Sequence, residues 1–143
     1  MRIALLNDTH CGIRGSSEIF INYQEKFYTD VFFPYLIEND INHIIHLGDY
    51  YENRRFINFK ALNANRKHFL EKLREYGITM DIIPGNHDTY YKNTNEVNSM
   101  SELVGEDILT TIYSEPQVVE FDDVPIQFIP WINAGNYSQT MEA

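Results

Sequence analysis

The strongest constraint in this sequence is a repeated ending. Three short apolar runs each stop at a polar block, and helix-length segments separate them. The third is the most informative. Met80 to Ile83 reads as a buried strand, and Pro84, which has no N–H to give to a sheet ladder, ends it. Gly85 permits a sharp turn and a close approach of other groups. Asn86, His87 and Asp88 then set an amide, an imidazole and a carboxylate together at the strand's end. The run Arg2 to Asn7 ends in the same manner at Asp8-x-His10, and the run Ile41 to Leu47 at Gly48-Asp49. Asn, Gly and Asp are ordinary turn residues, so one such block alone would be read as a turn. The ordered set of three carries the information.

Near-continuous apolarity in the three runs points to strands covered on both faces. Between the first two lies an aromatic-periodic segment with Ser17 placed to cap a helix. Phe20, Tyr23, Phe27 and Val31 recur at helical spacing and read as its buried stripe, with Pro34 expected to kink the helix or end its regular part. Between the second and third runs, Phe59 to Tyr76 reads as a helix with Leu62, Phe69, Leu70 and Leu73 on one side and Gly77 as its stop. Strand, helix, strand, helix, strand predicts parallel strands joined by right-handed crossovers. All three polar blocks then fall on one edge of the sheet, where ligands sit in open α/β folds.

After Asp88 the texture changes. Residues 89–99 form a long polar stretch that reads as a functional loop, and Ser101 to Val104 as one short helical turn. Ile108 to Tyr113, Gln117 to Phe121 and Pro125 to Pro130 read as β, with Asp122-Asp123 as a hairpin turn. Trp131 to Ala143 is polar and shows no end signal. The expected class is α/β, with parallel strands and crossover helices followed by a β-rich segment.

A chain of 143 residues with 43% hydrophobic residues supports one domain with a real core and is not a disordered protein. No apolar run approaches the roughly 18–20 residues that a membrane helix needs, so no membrane role is expected. The first strand begins at once, leaving no room for a signal peptide, and the single Cys11 allows no internal disulfide. Both features fit a cytoplasmic protein. The net charge of −10 argues against a simple basic nucleic-acid face. It argues less if acidic residues hold divalent cations, because bound metals invert the local field.

Residues two apart on an extended chain point the same way, so Asp8 and His10 are expected to bind one ion together. Imidazole, carboxylate and amide oxygen together suit a borderline divalent ion such as Mn²⁺, Zn²⁺ or Fe²⁺. One carboxylate can bridge two ions about 3.5–4 Å apart, the spacing used for in-line attack on phosphorus. Asp49, from the middle block, is the expected bridge. His43, His46 and His68 read as satisfied structural histidines.

The ordered blocks resemble the calcineurin-like metallophosphoesterases, whose pattern runs Asp-x-His, Gly-Asp, Gly-Asn-His-Asp or Gly-Asn-His-Glu, a lone His and then Gly-His-x-His. The first three blocks are present in full. Within that superfamily the chain resembles the Mre11/SbcD nucleases, and most of all the recombination-endonuclease subunits of T4-like bacteriophages. Four features carry this: the Asp-x-His strand at the start, the run Gly48-Asp49-Tyr50-Tyr51-Glu52-Asn53-Arg54, Tyr91-Lys92-Asn93, and Phe128-Ile129-Pro130-Trp131 closing a strand. The resemblance implies a layered α/β/β/α sandwich and a two-metal hydrolase of DNA phosphodiesters, acting as an exo- or endonuclease in recombination and double-strand-break repair. It implies two divalent ions, most readily Mn²⁺. Asp8 and His10 would hold the first, Asp49 would bridge, and Asn86 would hold the second. His87 would sit beside the scissile phosphate and Asp88 would orient it. The implied partners are DNA, an SMC-like ATPase subunit of the Rad50/SbcC type and a second copy of the chain; the implied location is the host bacterial cytoplasm if the gene is a phage's.

Two departures from the pattern matter. Many archaeal and bacterial members carry a His shortly after the Gly-Asp block, linked to exonuclease action, where this chain has Glu52. No His follows His87, so the lone His and the Gly-His-x-His block are missing. Residues 1–143 therefore read as the N-terminal portion of a single nuclease domain, truncated, with further ligands expected beyond Ala143 and weak metal occupancy and little activity by itself. Two other readings compete. One is a different enzyme of the superfamily, a protein phosphatase or small phosphodiester hydrolase. The other is a degenerate fold kept as a docking module.

Overall fold

The computed structural model describes residues 1–53, 55–89, 98 and 109–142. Its centre is a four-stranded, all-parallel sheet with strands in sequence order: β1 (Ala4–Leu6), β2 (His43–His46), β3 (Thr79–Ile82) and β4 (Thr110–Ile112). Register runs Ala4 to Ile44, Ile44 to Met80 and Met80 to Thr110. Crossovers in one direction place both helical segments against one face of the sheet. That face carries Leu6, Ile44, Met80 and Ile82, packed with Ile21, Tyr28, Phe33, Leu36, Phe69 and Leu73 from the helices.

The other face carries His43, Thr79 and Asp81, and it is covered by the hairpin β5 (Gln117–Phe121) and β6 (Val124–Phe128). The His43 ring lies 5.2 Å from that of Phe121, and Tyr113 stacks on Phe128 at 4.7 Å. Burying a histidine and a carboxylate is tolerable only if they pair. Here His43 Nε2 lies 3.0 Å from Asp81 Oδ2 and Nδ1 lies 2.6 Å from Thr79 Oγ1, while the Tyr113 hydroxyl donates to Asp81 Oδ1. His43 is a satisfied structural residue, as its sequence context suggested. Asp122 and Asp123, at φ 49° and 64°, make the two-residue turn of the hairpin.

The first crossover comprises a distorted turn α1 (Ile13–Ser16), α2 (Glu18–Phe27), a π-helical turn (Tyr28–Phe32) and α3 (Phe33–Glu38). Ser17 precedes α2, but its side chain caps nothing. The π turn has an identifiable cause. Pro34 cannot donate to residue 30 and its ring needs room there. The preceding N–H, from Phe33, reaches back five residues to the Tyr28 carbonyl and opens the coil. The second crossover runs α4 (Phe59–Asn65), a π turn (Arg66–Leu70) and α5 (Glu71–Tyr76), which ends at Gly77 with φ 64°. Asn58 caps α4 by accepting from the Lys60 and Ala61 N–H groups. Tyr28 and Phe69, one from each π turn, pack at 5.0 Å.

The expected buried stripe is corrected. Phe20, Tyr23, Phe27 and Val31 all face outward, with Tyr23 68% exposed, and the buried residues are Ile21, Tyr28, Phe33 and Leu36. The period was right and the phase one residue off. This segment is apolar on two sides, so spacing alone could not choose the inner one, and the π turn shifts the phase midway. Two short elements were missed: α1, and α6 (Tyr137–Glu142), a six-residue helix too short to show periodicity. The expected loop 89–99 lies outside the described residues except at Thr89 and Asn98; the turn 101–104, Tyr91-Lys92-Asn93 and Arg54 lie wholly outside them.

Phe69→Ala should therefore cost about 3–5 kcal/mol, whereas Tyr23→Ala should change stability by no more than about 0.5 kcal/mol. Urea unfolding of the two variants measures both. Equal losses would return Tyr23 to the core.

Candidate metal centre

The carboxyl ends of β1, β2 and β3 meet at one rim. Past the strands, the first two chain segments stay hydrogen-bonded step by step. Asp8 N–H donates to the Gly48 carbonyl at 3.1 Å, His10 N–H to the Asp49 carbonyl at 3.0 Å and Cys11 N–H to the Tyr50 carbonyl at 2.7 Å. This continuation is not extended. Asp8, His10 and Asp49 have φ of 52°, 43° and 52°, in the left-handed region. Each such residue costs on the order of 1 kcal/mol, a strain that clusters at functional sites and persists only where its surroundings impose it. The expectation of an extended Asp-x-His is thus corrected: the two side chains converge through left-handed turns, with Asp8 Oδ1 3.4 Å from His10 Nε2.

Two glycines set the approach of β2 to β3. A Cβ on Gly48 would fall 2.6 Å from the Gly85 nitrogen and 2.7 Å from its Cα. A Cβ on Gly85 would strike the Asp49 carboxylate and lie 2.5 Å from the Asp49 nitrogen. Gly85 has an ordinary extended conformation (φ −93°), so its requirement is steric, whereas Gly48 at φ 102° needs glycine for both reasons.

Asp88 ties the same junction together. It is fully buried; Oδ1 accepts from the Tyr50 and Tyr51 N–H groups at 3.0 and 3.3 Å, and Oδ2 from the Gly85 N–H at 2.8 Å. Burial raises its pKa, and the three backbone donors oppose that rise. These three partners are backbone N–H groups. The His87 ring is oriented by Glu52, whose carbonyl oxygen lies 2.7 Å from His87 Nδ1. A carbonyl only accepts, so Nδ1 carries the proton and Nε2 is the nitrogen left for chemistry.

Asp8, His10 and Asp49 each offer one ligand atom, all within 4.8 Å of one another. Asp49 Oδ1 accepts from the His87 N–H at 2.8 Å, which fixes the carboxylate. Asn86, in the 3₁₀ turn Asn86–Asp88, lines the same cleft as Asp49. Two carboxylates and an imidazole are a donor set for a borderline divalent ion, so these residues fit the metals that the sequence pattern implies. A second trio, His10, Glu52 and His87, meets the same distance limit. Glu52 Oε2 lies 2.8 Å from His10 Nδ1 without the alignment of a hydrogen bond. The His10 and His87 rings stand edge to face at 5.0 Å. Sequence reasoning had treated Glu52 only as a departure; its position three residues after Asp49 was the available signal.

His46 was read as structural, and the structure shows what it supports. It is completely buried. Its Nδ1 accepts from the Gly48 N–H at 3.1 Å, so Nε2 bears the proton and donates to Thr9 Oγ1 at 3.1 Å. Thr9 in turn donates to the Tyr50 carbonyl at 3.1 Å. One neutral imidazole thus joins the residue between Asp8 and His10 to both neighbours of Asp49. Burial pushes its pKa down to about 3. Cys11, also buried, has its thiol pushed up to about 12 and donates to the Ala61 carbonyl, which removes it as a nucleophile.

The family model described as calcineurin-like phosphoesterase matches residues 1–138. Exonuclease subunit 1 of Enterobacteria phage T4 is 31% identical over 142 residues, covering 99% of this chain and 41% of that protein. The chain thus spans about two fifths of that relative's length.

Two outcomes follow from the rim. Gly85→Ala should displace Asp49 and weaken divalent-ion binding at least about tenfold, on the scale of lost supporting contacts around a metal; calorimetry with Mn²⁺ reads it, and unchanged affinity would refute the steric argument. The second concerns acid. Unfolded His46 takes a proton below its ordinary 6.5, but folded His46 only near 3. The unfolded state therefore binds more protons in that window, and stability falls as pH drops through it. His46→Gln should flatten that part of the urea-midpoint profile; an unchanged acid slope would contradict it.

Proposed function

The chain belongs to the calcineurin-like phosphoesterases, and on that premise we propose that it forms the N-terminal part of a divalent-metal-dependent DNA nuclease domain. The observation that carries this reading is the convergence of Asp8, His10 and Asp49 within 4.8 Å at the rim where Asn86 and His87 also stand. Likeness to a phage exonuclease subunit directs the substrate toward DNA.

In this reading Asp8 and His10 would hold one ion, Asp49 would serve both, and Asn86 would hold the second. Bound ions supply Lewis-acid charge on the phosphate oxygens and a nucleophile from water near neutral pH. Mn²⁺ is the ion of choice for this mixed donor set. His87, with Nδ1 fixed on the Glu52 carbonyl, presents Nε2 to stabilise developing charge or to protonate the leaving oxygen. Asp88 acts on the reaction by holding both loops, and Asp49 keeps its place through the His87 N–H. Asp8, His10, Asp49 and Asn86 supply too few donors to fill the coordination of two ions, so this chain by itself would bind metal weakly.

The proposed setting is a cytoplasmic recombination complex. No described helix is long and apolar enough to cross a membrane. The outward stripe of Tyr23, Phe27, Val31 and Tyr35 offers apolar surface for a second copy or a Rad50/SbcC-type ATPase subunit.

With Mn²⁺, cleavage of linear duplex DNA is expected, slow for residues 1–143 and reduced at least about 10²-fold by Asp49→Asn, as for loss of a charge-stabilising group. Turnover of a chromogenic phosphodiester without any DNA cleavage would favour a small-diester hydrolase or phosphatase instead. Two tight sites in a Mn²⁺ titration of this chain would contradict the need for further ligands.

A further inference from the structure

Beside Asp49 and Asn86 the rim opens into a cleft of about 440 Å³. Its polar wall is formed by those two residues. The rest of its lining is mostly apolar, with Leu47, Ile129, Pro130 and Trp131 among others. Leu47 and Trp131 remain 44% and 41% exposed. Half-exposed large apolar side chains next to a polar centre are a feature of ligand sites, which join apolar walls to a few oriented polar groups.

The Trp131 backbone is held on both sides. Its N–H donates to the Pro84 carbonyl at 2.9 Å, one residue before Gly85 and two before Asn86. Its carbonyl accepts from Asn136 Nδ2 at 3.0 Å. Asn136 Oδ1 accepts from the Asn133 N–H at 2.8 Å, and Asn133 Oδ1 accepts from the Gly135 and Asn136 N–H groups at 2.9 and 3.2 Å. Both asparagines are buried. A closed polar turn therefore fixes the main chain of a tryptophan whose ring stays partly open to the cleft, directly behind the turn that carries Asn86.

We propose that this cleft is a nucleobase subsite, with Trp131 as the stacking platform for a base whose phosphate would reach the ions that Asp49 and Asn86 would hold. The proposal rests on the phosphodiesterase reading and adds the class of organic group that the site accepts. Charge supports a base over a peptide or a simple alkyl group. A chain of net charge −10 gains little from phosphate contacts, and stacking is the sequence-tolerant, uncharged contact by which proteins hold single-stranded nucleic acid. Trp131 becomes a specificity residue, and His87 and the ion ligands keep their roles.

Trp131 is the chain's one tryptophan, so intrinsic fluorescence reports on it alone. With Mn²⁺ present throughout, thymidine monophosphate should quench its emission in a saturable manner, while ribose 5-phosphate, which carries no base, should not. Calorimetry, free of nucleotide absorbance, should show affinity for thymidine monophosphate falling about tenfold in Trp131→Leu, the effect of one lost base stack. Trp131→Phe should retain most of it. Unchanged nucleotide affinity in a folded Trp131→Leu variant, or equal quenching by both phosphates, would overturn the subsite. Metal-dependent cleavage of a chromogenic diester tests the phosphodiesterase reading separately. If it persists while the nucleotide effects are absent, the subsite falls alone; if it is absent, that reading falls first.

Discussion

Everything at the rim depends on how closely the ends of β2 and β3 approach. Gly48 and Gly85 lie back to back, with no room for a Cβ on either. That contact lets the Asp49 carboxylate receive the His87 N–H and lets one buried carboxylate, Asp88, accept from Gly85, Tyr50 and Tyr51 together. A buried carboxylate is expensive unless its oxygens are satisfied, and three backbone donors satisfy this one. The junction spends polar burial on holding two loops at fixed separation, which the proposed ion ligands from different strands would require.

The same economy holds between β1 and β2. Asp8, His10 and Asp49 occupy left-handed conformations that each raise the energy of the folded chain. Their backbone bonds to one another, and the His46–Thr9–Tyr50 chain beneath them, keep that strain in place. His46 suits this task because it is neutral when buried and has one accepting and one donating nitrogen. Strained side chains that are already converged would lose little further freedom on taking up an ion, which is the advantage of preorganisation.

Much of this was legible beforehand, for a physical reason. Parallel topology forces three strand ends onto one edge, so the blocks at residues 8–10, 48–49 and 85–88 had to be neighbours once the strand–helix alternation was read. The hairpin at Asp122-Asp123 was equally local. What escaped depended on packing. The inner side of α2 and α3 could not be chosen in a segment apolar on two sides, and the π turn moved the phase. The fold of residues 131–142 rests on two asparagine side chains bonding to nearby backbone, which leaves no periodic trace. The partner of the His87 ring was a main-chain carbonyl, and sequence does not reveal main-chain acceptors.

Paramagnetic broadening by Mn²⁺ tests the central claim directly, because it reports distance to the ion residue by residue. In amide spectra of this chain, signals from residues 8–10, 49 and 86–87 should broaden together at the same substoichiometric Mn²⁺ concentration, ahead of surface acids such as Asp122 and Asp123. Broadening confined to Asp122, Asp123 and other exposed carboxylates, with the three strand-end segments unaffected, would contradict the account.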